Sequence, residues 1–280
     1  MELTKIAPKL AAEMDTVPPA LQQYMGTMAE FHLRSYDSID DAAWRHVVEV
    51  HNLREVVLHA PFRQHLLEDA CLSASLRPVV EEYFLRQCEF ADSAGVDIRI
   101  LFHTSATVES ALNMNLYAAL NDLLRTLDSC PRVSLLVENT IVGLDLGRKR
   151  IEEDPITEIL LRTPANKVGM CFDLCHYLAS KNAVHDEYVF SPAWLSRIYS
   201  VHFSETRNNE GYIHYAETHG CPHTSKHGVA RDLCILKDLG IDLSRVYIVA
   251  EITERDYSTR EAETQELAWL HTLNKEGIEF

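Results

Sequence analysis

Short runs rich in β-branched and aromatic residues alternate along this chain with longer stretches of helical periodicity, and that alternation leaves few folds open. Runs that read as strands lie at Ala29 to Leu33, Glu55 to His59, Asp97 to His103, Val133 to Glu138, Val168 to Asp173, Ile198 to His202 and Val246 to Glu251. One more is expected within Glu2 to Ala7, which makes eight. Between them, Leu76, Val80, Tyr83, Phe84, Gln87, Phe90, Ala91 and Ala94 recur mostly three or four residues apart. The series Val108, Ala111, Leu112, Leu116, Ala119, Leu120, Leu123, Leu124 and Leu127 repeats that spacing. Further helices are expected near Asp40 to Val50, Pro155 to Arg162, Ala230 to Leu239 and Thr259 to Leu270. Such alternation predicts parallel βαβ units. A single closed (β/α)8 barrel over residues 1–280 is the economical arrangement, since such barrels use about 250 residues as one unit. An open doubly wound sheet is the structural alternative. No glycine-rich loop of the dinucleotide or P-loop kind follows any strand.

Apolar residues make up 46% of the chain and charged residues 24%, an ordinary balance for a globular protein. No stretch approaches the roughly 20 apolar residues that cross a bilayer, and the N-terminus lacks the basic-then-apolar order of a secretory signal. The expectation is a cytoplasmic protein with no membrane partner. The seven cysteines, Cys71, Cys88, Cys130, Cys171, Cys175, Cys221 and Cys234, are odd in number and scattered. They read as reduced thiols rather than a disulfide framework. Twenty-six basic against 42 acidic residues give a net charge of −16. Nucleic-acid binders usually show a basic footprint, so this balance disfavours DNA as partner, although bound divalent cations would raise the potential at one mouth of a barrel.

In parallel βα units the C-terminal strand ends converge on one face. Polar residues repeatedly occupy that position here: His59 after VVL, His103 after IRILF, Glu138 after SLLV, Asp173 after VGMCF, His202 after IYSV and Glu251 after VYIVA. One histidine closing a strand is commonly hydrogen-bonded structure. A carboxylate after four apolar residues is harder to dismiss, because a buried unpaired charge is costly. Six such residues at corresponding ends point to a divalent-metal site. Imidazole and carboxylate together suit Zn²⁺, Mn²⁺, Co²⁺ or Fe²⁺ better than Mg²⁺, with zinc favoured if several histidines take part and manganese if His202 alone does.

Asp173 and His176 form an Asp-x-x-His pair that can reach the same mouth, whereas Cys171 shares the direction of Asp173 one layer deeper and reads as core. The polar stretch Ser204 to Gly228 is longer than usual and carries four histidines. Of His219, Cys221, His223 and His227, the Cys-x-His pair at Cys221 and His223 is the preferred ligand candidate, because Gly220 and Pro222 argue against a helix that would align the histidines. Phe62, next to Pro61, is a candidate to stack on a sugar or base, or is simply an exposed hydrophobe. Arg148 to Arg150 are the cations nearest the mouth, or a solvated run.

The stretches LHAPF, LFHTS, VENT, GMCFDLCH, VHFSET, CPHTSKHG and VAEI, spread over residues 58 to 251, together resemble the xylose isomerase-like TIM barrels and, within them, the endonuclease IV branch. That resemblance implies phosphoester hydrolysis by a metal-activated water at two or three zinc ions. It implies that His59, His103 and Glu138 hold the first ion, that Glu138 bridges to a second completed by Asp173, His202 and Glu251, and that His176 and His223 bind the third. The family's aspartate near the last of these is here Cys221, a competent zinc ligand that alters the charge. The family's asparagine, aspartate, serine and lysine run after VHFS is replaced by Ser204, Glu205, Thr206 and Arg207. The motifs also resemble sugar or sugar-phosphate isomerases and epimerases. That branch implies one Mn²⁺ or Co²⁺ on Glu138, Asp173, His202 and Glu251, proton transfer by Glu138 and Glu251, and His176 as a substrate contact. The histidines at 59 and 103 tilt the balance toward the multinuclear arrangement, and the acidity tilts it away from DNA.

Overall fold

Each strand expected from the sequence forms, and all of them pair in parallel. The computed structural model describes residues 5–104, 114–140, 155–183, 190–204, 226–252 and 259–276. The strands are β1 (Ile6–Ala7), β2 (Lys9–Ala11), β3 (Met28–His32), β4 (Glu55–His59), β5 (Asp97–His103), β6 (Val133–Glu138), β7 (Val168–Asp173), β8 (Ile198–Phe203) and β9 (Tyr247–Ala250). The helices that carry the chain back between them include α1 (Pro19–Gln22), α2 (Ser38–His51), α3 (Leu67–Leu72), α4 (Arg77–Ala94), α5 (Met114–Arg125) and α6 (Pro155–Arg162). They continue with α7 (Leu174–Ala183), α8 (Pro192–Leu195), α9 (Lys226–Asp238) and α10 (Glu261–Glu276).

The sheet order is β1-β9-β8-β7-β6-β5-β4-β3-β2, and β1 and β2 are two halves of one strand separated by Pro8. The first half pairs with β9, Ile6 opposite Ile248, and the second with β3, Lys9 opposite Glu30. The proline, which has no N–H for a ladder, stands where the strand changes partner, and its carbonyl accepts from Glu30 N at 3.0 Å. That switch closes the sheet into a (β/α)8 barrel. The first strand thus runs past the expected Glu2 to Ala7 as far as Ala11, because the interruption at Pro8 ends one pairing without ending the extended chain.

Inside the barrel, side chains two apart along a strand stack in layers. The middle layer is apolar: Ala7, Met28, Val57, Leu101, Leu136, Cys171, Tyr247 and Val249 form a buried cluster of their own. Two residues further along the same strands stand Lys9, Glu30, His59, His103, Glu138, Asp173 and Glu251. β8 keeps step through a register shift opposite Met170 and Cys171, so that Tyr199 packs on the apolar layer and His202 still reaches the polar one. At the opposite end Glu55 accepts hydrogen bonds from the hydroxyls of Tyr199 (2.6 Å) and Tyr247 (2.7 Å) and pairs with Arg99 (3.2 Å), which plugs the barrel with a satisfied polar layer. A larger apolar cluster between strands and helices, with Trp44, Tyr83, Phe31, Phe102 and Trp194 among its most buried members, forms the outer core. The α4 helix ends at Gly95 in the left-handed region (φ 69°), the usual termination that a glycine permits.

Candidate metal centre

The polar layer is the site. Glu138 at the end of β6 lies at its middle: Oε2 is 3.7 Å from His59 Nε2, 3.4 Å from His103 Nε2 and 3.2 Å from His202 Nδ1. The two strand-end histidines stand 3.1 Å apart, Nε2 to Nε2. On the other side His202 Nδ1 is 2.7 Å from Glu251 Oε2 and 3.9 Å from Asp173 Oδ2. Among the described residues three overlapping groups bring ligand atoms within 4.8 Å of one another: His59, His103 and Glu138; Glu138, Asp173, His202 and Glu251; and Glu138, Cys171 and His202. The structure therefore brings together six of the strand-end residues read from the sequence, with Glu138 common to every group.

The hydrogen bonding of these atoms fits a cation. Among the described residues, both carboxylate oxygens of Glu138 and Nδ1 of His202 are buried and find no hydrogen-bond partner, an arrangement that is costly unless something else satisfies these atoms. Burial opposes ionisation of Glu138, but His103 and His202 outweigh it and hold the carboxyl well below its usual range. Burial would likewise strip a proton from His202. The Cys171 thiol and the carboxylates of Glu251, Glu30 and Glu138 outweigh that too, and its pKa rises well above normal. A pocket that draws a proton onto a fully buried imidazole draws a metal ion for the same electrostatic reason. His59 is the opposite case: burial, then the nearby Lys9, His32 and His103, push its pKa well down, leaving the neutral ring that ligation requires.

Neighbouring groups orient the donors. Asn139 Nδ2 donates to the carbonyl of Asp173 (2.8 Å) and its Oδ1 accepts from Asp173 N (2.7 Å), which locks the ends of β6 and β7 together. His59 Nδ1 donates to the carbonyl of Ala60 (2.9 Å), turning Nε2 toward Glu138. In the first turn of α7, His176 N donates to Asp173 Oδ1 (2.6 Å) and Nδ1 to the carbonyl of Asn139 (2.8 Å). Its Nδ1 lies 3.4 Å from Glu138 Oε1, and its pKa is pushed up to about 9, burial being outweighed by Asp173 and Glu138. His176 thus borders the cluster without joining any of the three groups. Cys171 sits one layer deeper as expected, where burial pushes its thiol up to about 12, yet its sulfur is close enough to complete the third group. Cys221 and His223, with the whole of 205–225 and the cations Arg148, Lys149 and Arg150, lie outside the described residues. Phe62 is 76% exposed at the rim and stacks on His65, whose ring meets that of His103 edge-on at 4.7 Å.

Two residues of the same layer escaped the sequence reading. Glu30, fully buried, accepts from His202 Nε2 at 2.8 Å, and Lys9 Nζ lies 2.8 Å from Glu30 Oε1 and donates to Glu251 Oε1. A charge inside the apolar run Met28-Ala29-Glu30-Phe31 was the available signal for the first. Lys9 gave none, because the pairing beyond Pro8 is not written in the local pattern.

No curated protein matches the chain in sequence. Among solved structures it is similar to that of "AsfvAP:AG", with a TM-score of 0.60 at 13% identity over 97% of this chain and 98% of that one. It is similar to L-ribulose 3-epimerase, with a TM-score of 0.57 at 12% identity over 98% and 96% of the two chains. A sugar phosphate isomerase/epimerase from Parabacteroides distasonis gives a TM-score of 0.51 at 13% identity over 94% and 96%. At such identities the likeness speaks for the barrel alone. The sequence itself matches the xylose isomerase-like TIM barrel family over residues 18–273, a span that holds every strand from β3 to β9 and all the strand-end donors described above, and the chain belongs to that family.

Proposed function

We propose that the chain is a divalent-metal-dependent phosphoester hydrolase with a multinuclear zinc site. One observation carries the reading: Glu138 is shared between two donor groups, one completed by His59 and His103 and the other by Asp173, His202 and Glu251. A single ion needs only the second group. A bridging carboxylate with a separate pair of histidines is the donor set for two ions side by side. His176 with Cys221 and His223 would hold a third.

When bound, the ions supply Lewis acidity toward the phosphoryl oxygens and make a water nucleophilic near neutral pH. Glu138, common to the two donor groups, would help hold both ions and orient the attacking water. His59, neutral, and its neighbour His103 would supply two imidazole nitrogens to the first ion. Asn139 holds the Asp173 end of the strand in register, so the two groups keep a fixed separation. The apolar layer beneath closes the floor to bulk water. Incubation of the zinc-loaded chain with abasic-site DNA and with small phosphodiesters should release cleaved product, and loss of product on chelation should be reversed by zinc.

A second reading is favoured by the way Glu138 and Glu251 both reach the His202 side of the site, two carboxylates about one potential ion. It makes the chain an isomerase or epimerase of a sugar or sugar phosphate with one Mn²⁺ or Co²⁺, the glutamates removing and returning a proton. Turnover of a ketose panel with no cleavage of any phosphoester would decide for it.

A further inference from the structure

Two charged side chains of the polar layer belong to none of the donor groups. Glu30 is fully buried in β3, where an unpaired carboxylate is strongly unfavourable. Its Oε1 lies 2.8 Å from Lys9 Nζ, and its Oε2 accepts from His202 Nε2 at 2.8 Å. Lys9 Nζ donates in turn to Glu251 Oε1, while Glu251 Oε2 stands 2.7 Å from His202 Nδ1. These four side chains close a ring. Lys9 is itself pinned, because its backbone N–H, facing away from β3 after Pro8, donates to Glu263 Oε1 of α10 at 2.6 Å.

We propose that Lys9 and Glu30 are positioning residues of the metal centre: Glu30 fixes His202 so that Nδ1 is its coordinating nitrogen, and Lys9 holds Glu251 through Oε1 so that Oε2 alone is presented to the ion. The inference rests on the reading of this layer as a metal centre. A ligating histidine tied through its other ring nitrogen to a carboxylate is a recognised way of fixing the ring. What is particular here is the coupling of that carboxylate, through one ammonium, to a second ligand. Because Lys9 and Glu30 carry opposite charges, they orient two ligands without altering the net charge that attracts the cation. A carboxylate held through one oxygen would offer the ion a single donor atom.

The test is a Co²⁺ titration against a competing chelator, with the visible spectrum of the Co²⁺-loaded protein, on the unaltered chain, on Glu30→Gln and on Lys9→Met/Glu30→Gln. The double variant removes the ammonium together with the Glu30 carboxylate it pairs with, releases the partly exposed Glu251 from Lys9, and is checked for folding by its circular dichroism and melting temperature. It should bind Co²⁺ about 10- to 100-fold more weakly, with altered band intensity because Glu251 Oε1 becomes able to coordinate. Glu30→Gln, which keeps an acceptor for His202, should lose less affinity. A folded double variant with unchanged affinity and spectrum overturns the inference. So does a weaker affinity with an unchanged spectrum and a matching fall in the melting temperature of the metal-free protein, which would make the pair merely structural. An unaltered chain that takes up no Co²⁺ overturns instead the metal reading on which the inference stands.

Discussion

Among the described residues Glu138 shares a donor group with each of the other strand-end donors, and the consequences of changing it follow from that position. Among the described residues its two oxygens are buried without a hydrogen-bond partner, and Glu138→Gln removes the charge that both histidine-bearing groups share. Activity should fall by about 10²- to 10⁴-fold, the range expected for losing a group that handles the reacting water. A variant with near-normal turnover would place the chemistry elsewhere. At the far end of the barrel, burial tends to raise the pKa of Glu55, but the hydroxyls of Tyr199 and Tyr247 and the guanidinium of Arg99 outweigh it and hold the carboxyl below its ordinary 4.5. A depressed carboxylate stabilises the fold fully above its unfolded pKa and ceases to do so as pH falls through the folded one. Below about pH 4.5, therefore, the native chain should lose stability more steeply than Glu55→Gln. Urea midpoints measured down the acid limb test this, and parallel curves would show that Glu55 contributes nothing specific.

At the scale of elements, the period of two along each strand explains both what was legible in the sequence and what was not. Each strand end that closed an apolar run with a single polar residue, as in SLLVE or VGMCFD, announced its layer directly. Helix α6 agrees with the sequence to the residue, because Pro155 opens it and the apolar spacing is clean. Glu30 interrupts an apolar run, but its role, like that of Lys9, was hidden for a different reason. They matter only through each other and through His202, across the β2–β3 pairing, and nothing local encodes a partner change at Pro8. Long-range closure of this kind is visible only once the barrel is assembled. The same geometry makes Gly169 a sensitive point, since a Cβ there would stand 2.9 Å from Leu136 Cδ2 in the apolar layer and 3.3 Å from the carbonyl of Arg197. Gly169→Ala should cost about 1–3 kcal/mol, as overpacking of a filled interior does. Equilibrium unfolding would reveal it, and an unchanged midpoint would mean that the layer has room to yield.

Across the whole molecule, a net charge of −16 surrounds a mouth where, among the described residues, four carboxylates, Glu30, Glu138, Asp173 and Glu251, stand with the ammonium of Lys9. Two divalent ions would reverse the sign of that mouth while leaving the surface acidic, which suits a small anionic substrate better than a long nucleic acid. Among the described residues no helix is long and apolar enough to cross a membrane. Ligand binding to the folded state alone stabilises it by mass action, roughly 2.7 kcal/mol at a hundredfold excess over Kd, so chelation should lower the melting temperature and zinc restore it. The most direct measurement is the metal content of the remetallated chain, by elemental mass spectrometry, beside that of a His59→Ala/His103→Ala variant. Two or more zinc ions per chain, falling by one in the variant, is the predicted result; a single ion in both proteins would contradict the multinuclear centre.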